Sequence, residues 1–201
     1  MVPAESSDLS TSLSERSPLR RPYPGQYAAE MLLNDGTRLQ IRPIRPEDES
    51  VLARFHATLS EASVYKRYFL LLPFEFRTRH ERLMRLCCID YDRHMALIAE
   101  RSSQREIVGV GRLIQSAWRN EAEIAVIVCD AFQHKGIGRA LVRRLIQFAC
   151  DKKIQLLTAS VLVENVAMRK LLEGEGFTSE NDSVSEVWEG QLPLNCRRHG
   201  S

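Results

Sequence analysis

Between residues 126 and 139 the chain reads VIVCDAFQHKGIGR: an apolar, β-branched run, a short loop carrying Gly136 and Gly138, and at once a stretch with helical spacing. A strand that turns so abruptly into a helix implies layered α/β packing, because each element must bury its apolar face against another. Leu141, Leu145, Phe148 and Ala149 supply that face on the helix. The turn also gathers backbone N–H groups and the positive end of the helix dipole at one point, a setting suited to an anion. Glycine lets the backbone approach such a group without a Cβ in the way. Two common nucleotide patterns are excluded: no Lys-Ser/Thr pair follows as in a P-loop, and the third glycine of a dinucleotide fingerprint is missing. Taken alone, the two glycines are also compatible with a tight turn of purely structural purpose.

The rest of the chain surrounds this unit with short elements. Asn34-Asp35-Gly36 between YAAEMLL and TRLQIRPI signals a β-hairpin. Pro46, Glu47 and Asp48 suit the first turn of a helix over about 46–58. Val64, Tyr65, Tyr68 and Phe69 recur at helical spacing until Pro73, and a further helix is expected around 77–88. HMALIAER (94–101), EIVGVGRLIQ (106–115) and EAEIAVIVC (121–129) read as an antiparallel meander. A helix from about Gly138, a strand over 154–161, a helix from about Asn165 and final strands at Phe177 and VSEVWEG (184–190) complete a mixed α/β (α+β) order with no internal repeat.

The chain has 201 residues, with 28 Lys and Arg against 26 Asp and Glu and a formal net charge of +2. That balance argues against a nonspecific nucleic-acid binder, whose hold on phosphate backbones depends on a marked basic excess. Cys87, Cys88, Cys129, Cys150 and Cys196 include no C-x-x-C and read as reduced thiols of a cytoplasmic protein. His56, His80, His94, His134 and His199 show no metal-ligand spacing, so no metal is expected. No apolar run is long enough to cross a bilayer, and the N-terminus lacks the apolar core of a secretory signal, so no membrane partner is expected. Residues 1–22, rich in serine and proline, read as a disordered tail, followed by one domain over 23–190 and a C-terminal tail over 191–201.

With its surroundings the loop becomes specific. Gln133-x-x-Gly136-x-Gly138 behind an apolar strand resembles the Q/R-x-x-G-x-G/A pyrophosphate loop of the GNAT superfamily of acyl-CoA-dependent N-acyltransferases. Asn165-Val166-Ala167-Met168-Arg169 and then Gly176-Phe177 are similar to that family's asparagine-led helix and terminal Gly-Phe. Tyr23-Pro24, DGTRLQIRPIRPEDE (35–49), LSEASVYKRYF (59–69), IDYDRHMALIA (89–99) and ENVAMRKLL (164–172) look like the acetyltransferase domain of bacterial Pat-type protein lysine acetyltransferases, over about residues 22–180. In that family the domain is often fused to an acyl-CoA-synthetase-like or cyclic-nucleotide-binding module. The length of this chain leaves room for neither, and it reads as a free-standing catalytic domain.

The resemblance implies a GNAT fold: a central, mostly antiparallel sheet flanked by helices, with its parallel fourth and fifth strands splayed apart. It implies acetyl-CoA as cosubstrate. Gln133, His134, Lys135, Gly136, Ile137, Gly138 and Arg139 would hold the pyrophosphate, Val126, Ile127 and Val128 would pair with the pantetheine amides, and Asn165 would lie near the thioester. Glu123, in the strand leading to the loop, matches the family's general base, with an ordinary outward-facing strand carboxylate, like neighbouring Glu121, as its other reading. Leu172 stands where many members carry a tyrosine as general acid, so no general acid is assigned. Tyr65 belongs to the region that shapes the acceptor site, with core packing as its other reading. Cys129 reads as a buried small residue rather than a nucleophile. The acceptor implied is an amine, foremost a protein lysine, with acyl-CoA synthetases as the suggested acceptor class. The alternatives are a small-molecule amine and a CoA-binding sensor without turnover. An acceptor groove for peptide lysine is expected to be open and acidic, and one for a small amine enclosed.

Overall fold

A computed structural model of the chain describes residues 23–179 and 185–195. The expected N-terminal tail, residues 1–22, lies outside the described residues, as does Cys196. Seven strands lie side by side in chain order: β1 (Ala29–Leu32), β2 (Arg38–Pro43), β3 (His94–Arg101), β4 (Glu106–Gln115), β5 (Glu121–Val128), β6 (Leu156–Leu162) and β7 (Val187–Pro193). Every neighbouring pair is antiparallel except β5 and β6, which are parallel. β7 runs on through Pro193, into the stretch expected as a tail, because its pairing with β6 continues to Leu156↔Pro193.

Helices α1 (Glu49–Ala57), α2 (Glu61–Tyr68), α3 (Phe74–Arg77) and α4 (His80–Cys87) separate β2 from β3. α5 (Ile137–Asp151) makes the crossover that a parallel pair requires, and α6 (Val166–Glu173) follows β6. The start expected at Pro46 is a single 3-10 turn, Pro46–Asp48, before α1 proper. β3 is the centre of the core: Met95 to Ala99 are fully buried, which a strand covered on both faces requires. α5 presses on one face, where a Cβ at Gly109 would lie 3.2 Å from Ile137 and one at Gly111 3.3 Å from Leu141. Side chains alternate along a strand, so Arg112 and its cross-strand neighbour Ala125, with Glu123 and Ile127, point to the opposite layer, that of α1–α4.

Polar groups are buried beneath that layer. Arg42 donates from both terminal nitrogens to Asp48, at 2.7 and 2.8 Å, and from Nε to Glu100 at 2.9 Å, with Asp48 also accepting from the Arg45 backbone N–H. His56, 2% exposed in the last turn of α1, is held neutral: burial, then the cations Arg77, Arg82 and Arg67, push its pKa down to about 4. A histidine in the unfolded chain titrates near 6.5, so between about pH 6.5 and 4 the unfolded state binds the extra proton and stability falls as pH falls. The expected loss over that interval is about 3 kcal/mol. Urea unfolding midpoints at pH 7 and 4.5 measure it, and a His56→Leu variant with an equal drop would show that the loss arises elsewhere.

Candidate active site

The cleft that defines the site follows from strand register. β5 and β6 pair at Glu121↔Leu156, Ala122↔Leu157 and Glu123↔Thr158 and no further. Beyond Glu123 the strands diverge, leaving one edge of Val126, Ile127 and Val128 without a strand partner. The gap opens into a cleft of about 630 Å³, walled by those three residues, the segment from Phe132 to Arg139 except Lys135, the start of α6 and residues of α2. A small recess of about 60 Å³ adjoins it on the Glu123 side and shares Lys66, Arg67, Val126, Asn165 and Met168 with it.

At the wide end, His134 and Gly136 adopt left-handed backbone conformations, φ 60° and 83°. Alternating hands of this kind fold successive N–H groups into a concave anion nest. α5 begins at once, and its first-turn N–H groups, including those of Gly138 and Arg139, have no carbonyl one turn back to bond. Lys66, Arg67, Arg139 and Lys170 line this wide part, and among the described residues no Asp or Glu does. The charge and the donors fit a polyanion, and the unpaired β5 edge fits an extended chain bearing amides.

Over residues 38–178 the sequence matches the family described as an acetyltransferase (GNAT) domain. The chain is a GNAT acetyltransferase. It is 32% identical to "Acetyltransferase PA5475" of Pseudomonas aeruginosa over 153 residues, which is 75% of this chain and 80% of that protein. It is 26% identical to "Acetyltransferase Pat" of Mycolicibacterium smegmatis over 153 residues, spanning 76% of this chain and 45% of that longer protein. The GNAT domain of S. lividans PAT superposes with a TM-score of 0.77 at 27% identity, covering 86% of this chain and all of that one. The open, mixed sheet with its one splayed parallel pair is therefore the GNAT fold, and the enzyme is an acyl-CoA-dependent N-acyltransferase.

Most of the expected site residues converge in this acetyltransferase cleft. Val126, Ile127, Val128, Gln133, His134, Gly136, Ile137, Gly138, Arg139 and Asn165 line the wide part. Glu123 lines the recess. Lys135 lines neither part: its ammonium pairs with Asp35 of the β1–β2 turn at 2.8 Å and lies over Phe132. Tyr65 also lines neither, although its neighbours Lys66 and Arg67 line both. A helix presents successive residues about 100° apart, so one position along α2 decides which side chain faces the gap.

Several roles appear only in three dimensions. The Gln133 side-chain amide donates to Ser63 Oγ at 3.0 Å and to the Val128 carbonyl at 3.1 Å, tying loop, α2 and β5 together. Asp130 accepts from Ser60 N–H, Ser60 Oγ and Ser63 Oγ. Burial works against its charge, but those bonds hold its carboxyl below the usual range. Ser60 and Ser63 lie in the stretch LSEASVYKRYF, and nothing local to it reveals a partner on the far loop. Asn165 Oδ1 caps α6 by accepting from the Met168 N–H. Leu172 is buried beside the recess, and among the described residues no tyrosine or cysteine lines either part of the cleft. Cys129 is buried, and burial raises its thiol pKa, as a packing residue requires.

Gly136 tests the nest. An alanine there is strained by its left-handed backbone, at about 1 to 2 kcal/mol, and relaxation would turn the N–H groups away. Gly136→Ala is expected to weaken acetyl-CoA binding about tenfold in calorimetric titration. Unchanged affinity would remove the nest from the binding site.

Proposed function

We propose that this enzyme transfers the acetyl group of acetyl-CoA to the side-chain amine of a protein lysine, with Glu123 as general base. The observation that carries the reading is the position of Glu123 in the recess at the narrow end of the splay, on the face away from α5. Its carboxylate is exposed and has no hydrogen-bond partner among the described residues, so it is available to a substrate proton. A protein acceptor is supported by the rim. Phe69 lines the recess, and Leu70, Leu71, Phe74 and Phe76 continue from it with 52%, 61%, 43% and 39% of their surfaces exposed. Apolar groups grouped this way mark a surface for a macromolecule more than for a small polar amine.

Acetyl-CoA supplies an activated acetyl thioester, and the chain's residues do the rest. The nest and first turn of α5 hold phosphate, with Arg139 and Lys170 adding charge, while the free β5 edge orients the pantetheine arm. A lysine ammonium has a pKa near 10.4, so freeing its lone pair at pH 7 costs about 4 to 5 kcal/mol, and Glu123 takes that proton. The neutral amine attacks the thioester carbon; the C–N bond forms, the C–S bond breaks, the sulfur departs as thiolate, and the nitrogen gives its surplus proton to water as the amide forms. A thiol titrates near 8.5, so it can leave without a strong acid, and the Lys66 and Arg67 charges near the gap favour the anion. The test is thiol release from acetyl-CoA with a lysine-protein panel, including an acyl-CoA synthetase, beside a polyamine and amino-acid panel. Turnover confined to proteins supports the reading, and turnover confined to small amines overturns the acceptor class.

A further inference from the structure

The surroundings of Glu123 differ from the acidic groove expected for a peptide lysine. Arg67 and Arg82 both place their guanidinium carbons over the Tyr68 ring, at 5.0 and 5.3 Å from its centroid. Arg112 projects from β4 opposite Ala125, on the same face as Glu123. All three are half-buried. Among the described residues none of them has a carboxylate within ion-pair distance. The Nε atoms of Arg82 and Arg112 are buried and have no partner among the described residues. The contrast with Arg42, which the same fold surrounds with two carboxylates, is sharp. Burial lowers the pKa of Arg67 and of Arg112, with repulsion from the neighbouring arginines acting in the same direction and attraction to Glu123 acting against it. Of the three only Arg67 lines the recess with Glu123, while Arg112 also feels its charge from the same face of the sheet and Arg82 joins them across the Tyr68 ring, so three unneutralised guanidinium groups leave this region short of negative charge.

We propose that Arg67, Arg82 and Arg112 form a carboxylate-binding subsite on the acceptor side of Glu123. The favoured acceptor therefore carries an acidic group next to the lysine that reacts. The inference deepens the lysine reading and rests on it. The carboxylate belongs to a flanking Asp or Glu in a protein acceptor, or to the acceptor's own α-carboxylate if the acceptor is a free amino acid. Guanidinium groups suit either, because their donors fork onto both oxygens. The subsite also keeps Glu123 working: a bound carboxylate offsets the positive charge around the amine and restores the local field a lysine ammonium needs to enter.

Acceptors matched except for the carboxylate test this. One pair is a capped peptide with Glu on both sides of Lys against the same peptide with Gln. The other is Nα-acetyl-lysine against its amide. Equilibrium binding to the CoA-loaded enzyme is measured for each, and kcat/KM with acetyl-CoA separately. Wild type is expected to bind the carboxylate member of at least one pair about tenfold more tightly, a preference that Arg112→Gln and Arg82→Gln each reduce. Arg112→Glu is expected to reverse it towards a peptide with Arg flanks, an inversion that a loss of packing would not produce. Preference in the peptide pair assigns the carboxylate to a protein, and preference only in the Nα-acetyl-lysine pair assigns it to a free amino acid. Equal binding within both pairs in the wild type overturns the subsite without any variant needing to fold, and leaves lysine acetylation standing if turnover occurs. Selective binding lost in the arginine variants, but with no turnover on any lysine, supports the subsite and overturns the lysine reading.

Discussion

Glu123→Gln is expected to lower kcat/KM for a lysine acceptor by about a hundredfold or more at pH 7, with acetyl-CoA affinity little changed. Positioned general bases contribute about 10² to 10⁴ in rate, and glutamine keeps the shape of the side chain while removing the proton acceptor. Affinity for acetyl-CoA survives because Glu123 lies in the recess, apart from the nest and the α5 first turn. The deficit is expected to shrink as pH rises towards 10, where solution supplies the free amine that Glu123, as the proposed base, would otherwise generate. A constant deficit across pH would make Glu123 a positioning residue. An unchanged rate at pH 7 would remove it from the mechanism.

Arg42→Ala has the largest expected effect on stability. It strands Asp48 and Glu100, 2% and 5% exposed, without their shared cation. Breaking one partner out of a buried ion pair costs about 3 to 5 kcal/mol, because the remaining charge can neither be solvated nor paired. In a protein of this size that corresponds to a Tm lower by about 10 °C. Replacing all three groups by apolar residues of similar volume is expected to recover most of the loss, since such replacements are often neutral. A loss below about 1 kcal/mol for Arg42→Ala would show that water reaches the two acids. The network matters for function because Asp48 ties the turn entering α1 to β2, and with it the layer carrying Tyr68, Arg67 and Arg82.

Most of the element order could be read along the chain, because periodicity reports burial directly. The meander strands lie where alternation and apolar runs placed them. The loop was legible for a local reason: a positive φ at Gly136 and the close approach of Gly138 to Leu171, where a Cβ would lie 3.0 Å away, each demand glycine. Boundaries were less legible. The 3-10 turn before α1 and the extension of β7 to Pro193 depend on partners distant in sequence.

The class of fold, a strand–loop–helix unit suited to a polyanion and a carboxylate in the strand before it are all written along the chain. Those features are local, written in period and in glycine placement. Long-range packing decides that pairing of β5 with β6 stops at Glu123, that Lys135 turns to Asp35 while Lys66 and Arg67 face the gap, and that Arg67 and Arg82 meet over the Tyr68 ring with Arg112 on the same face of the sheet as Glu123. Each of these joins residues far apart in the chain, and long-range charge and packing leave no local periodicity to read.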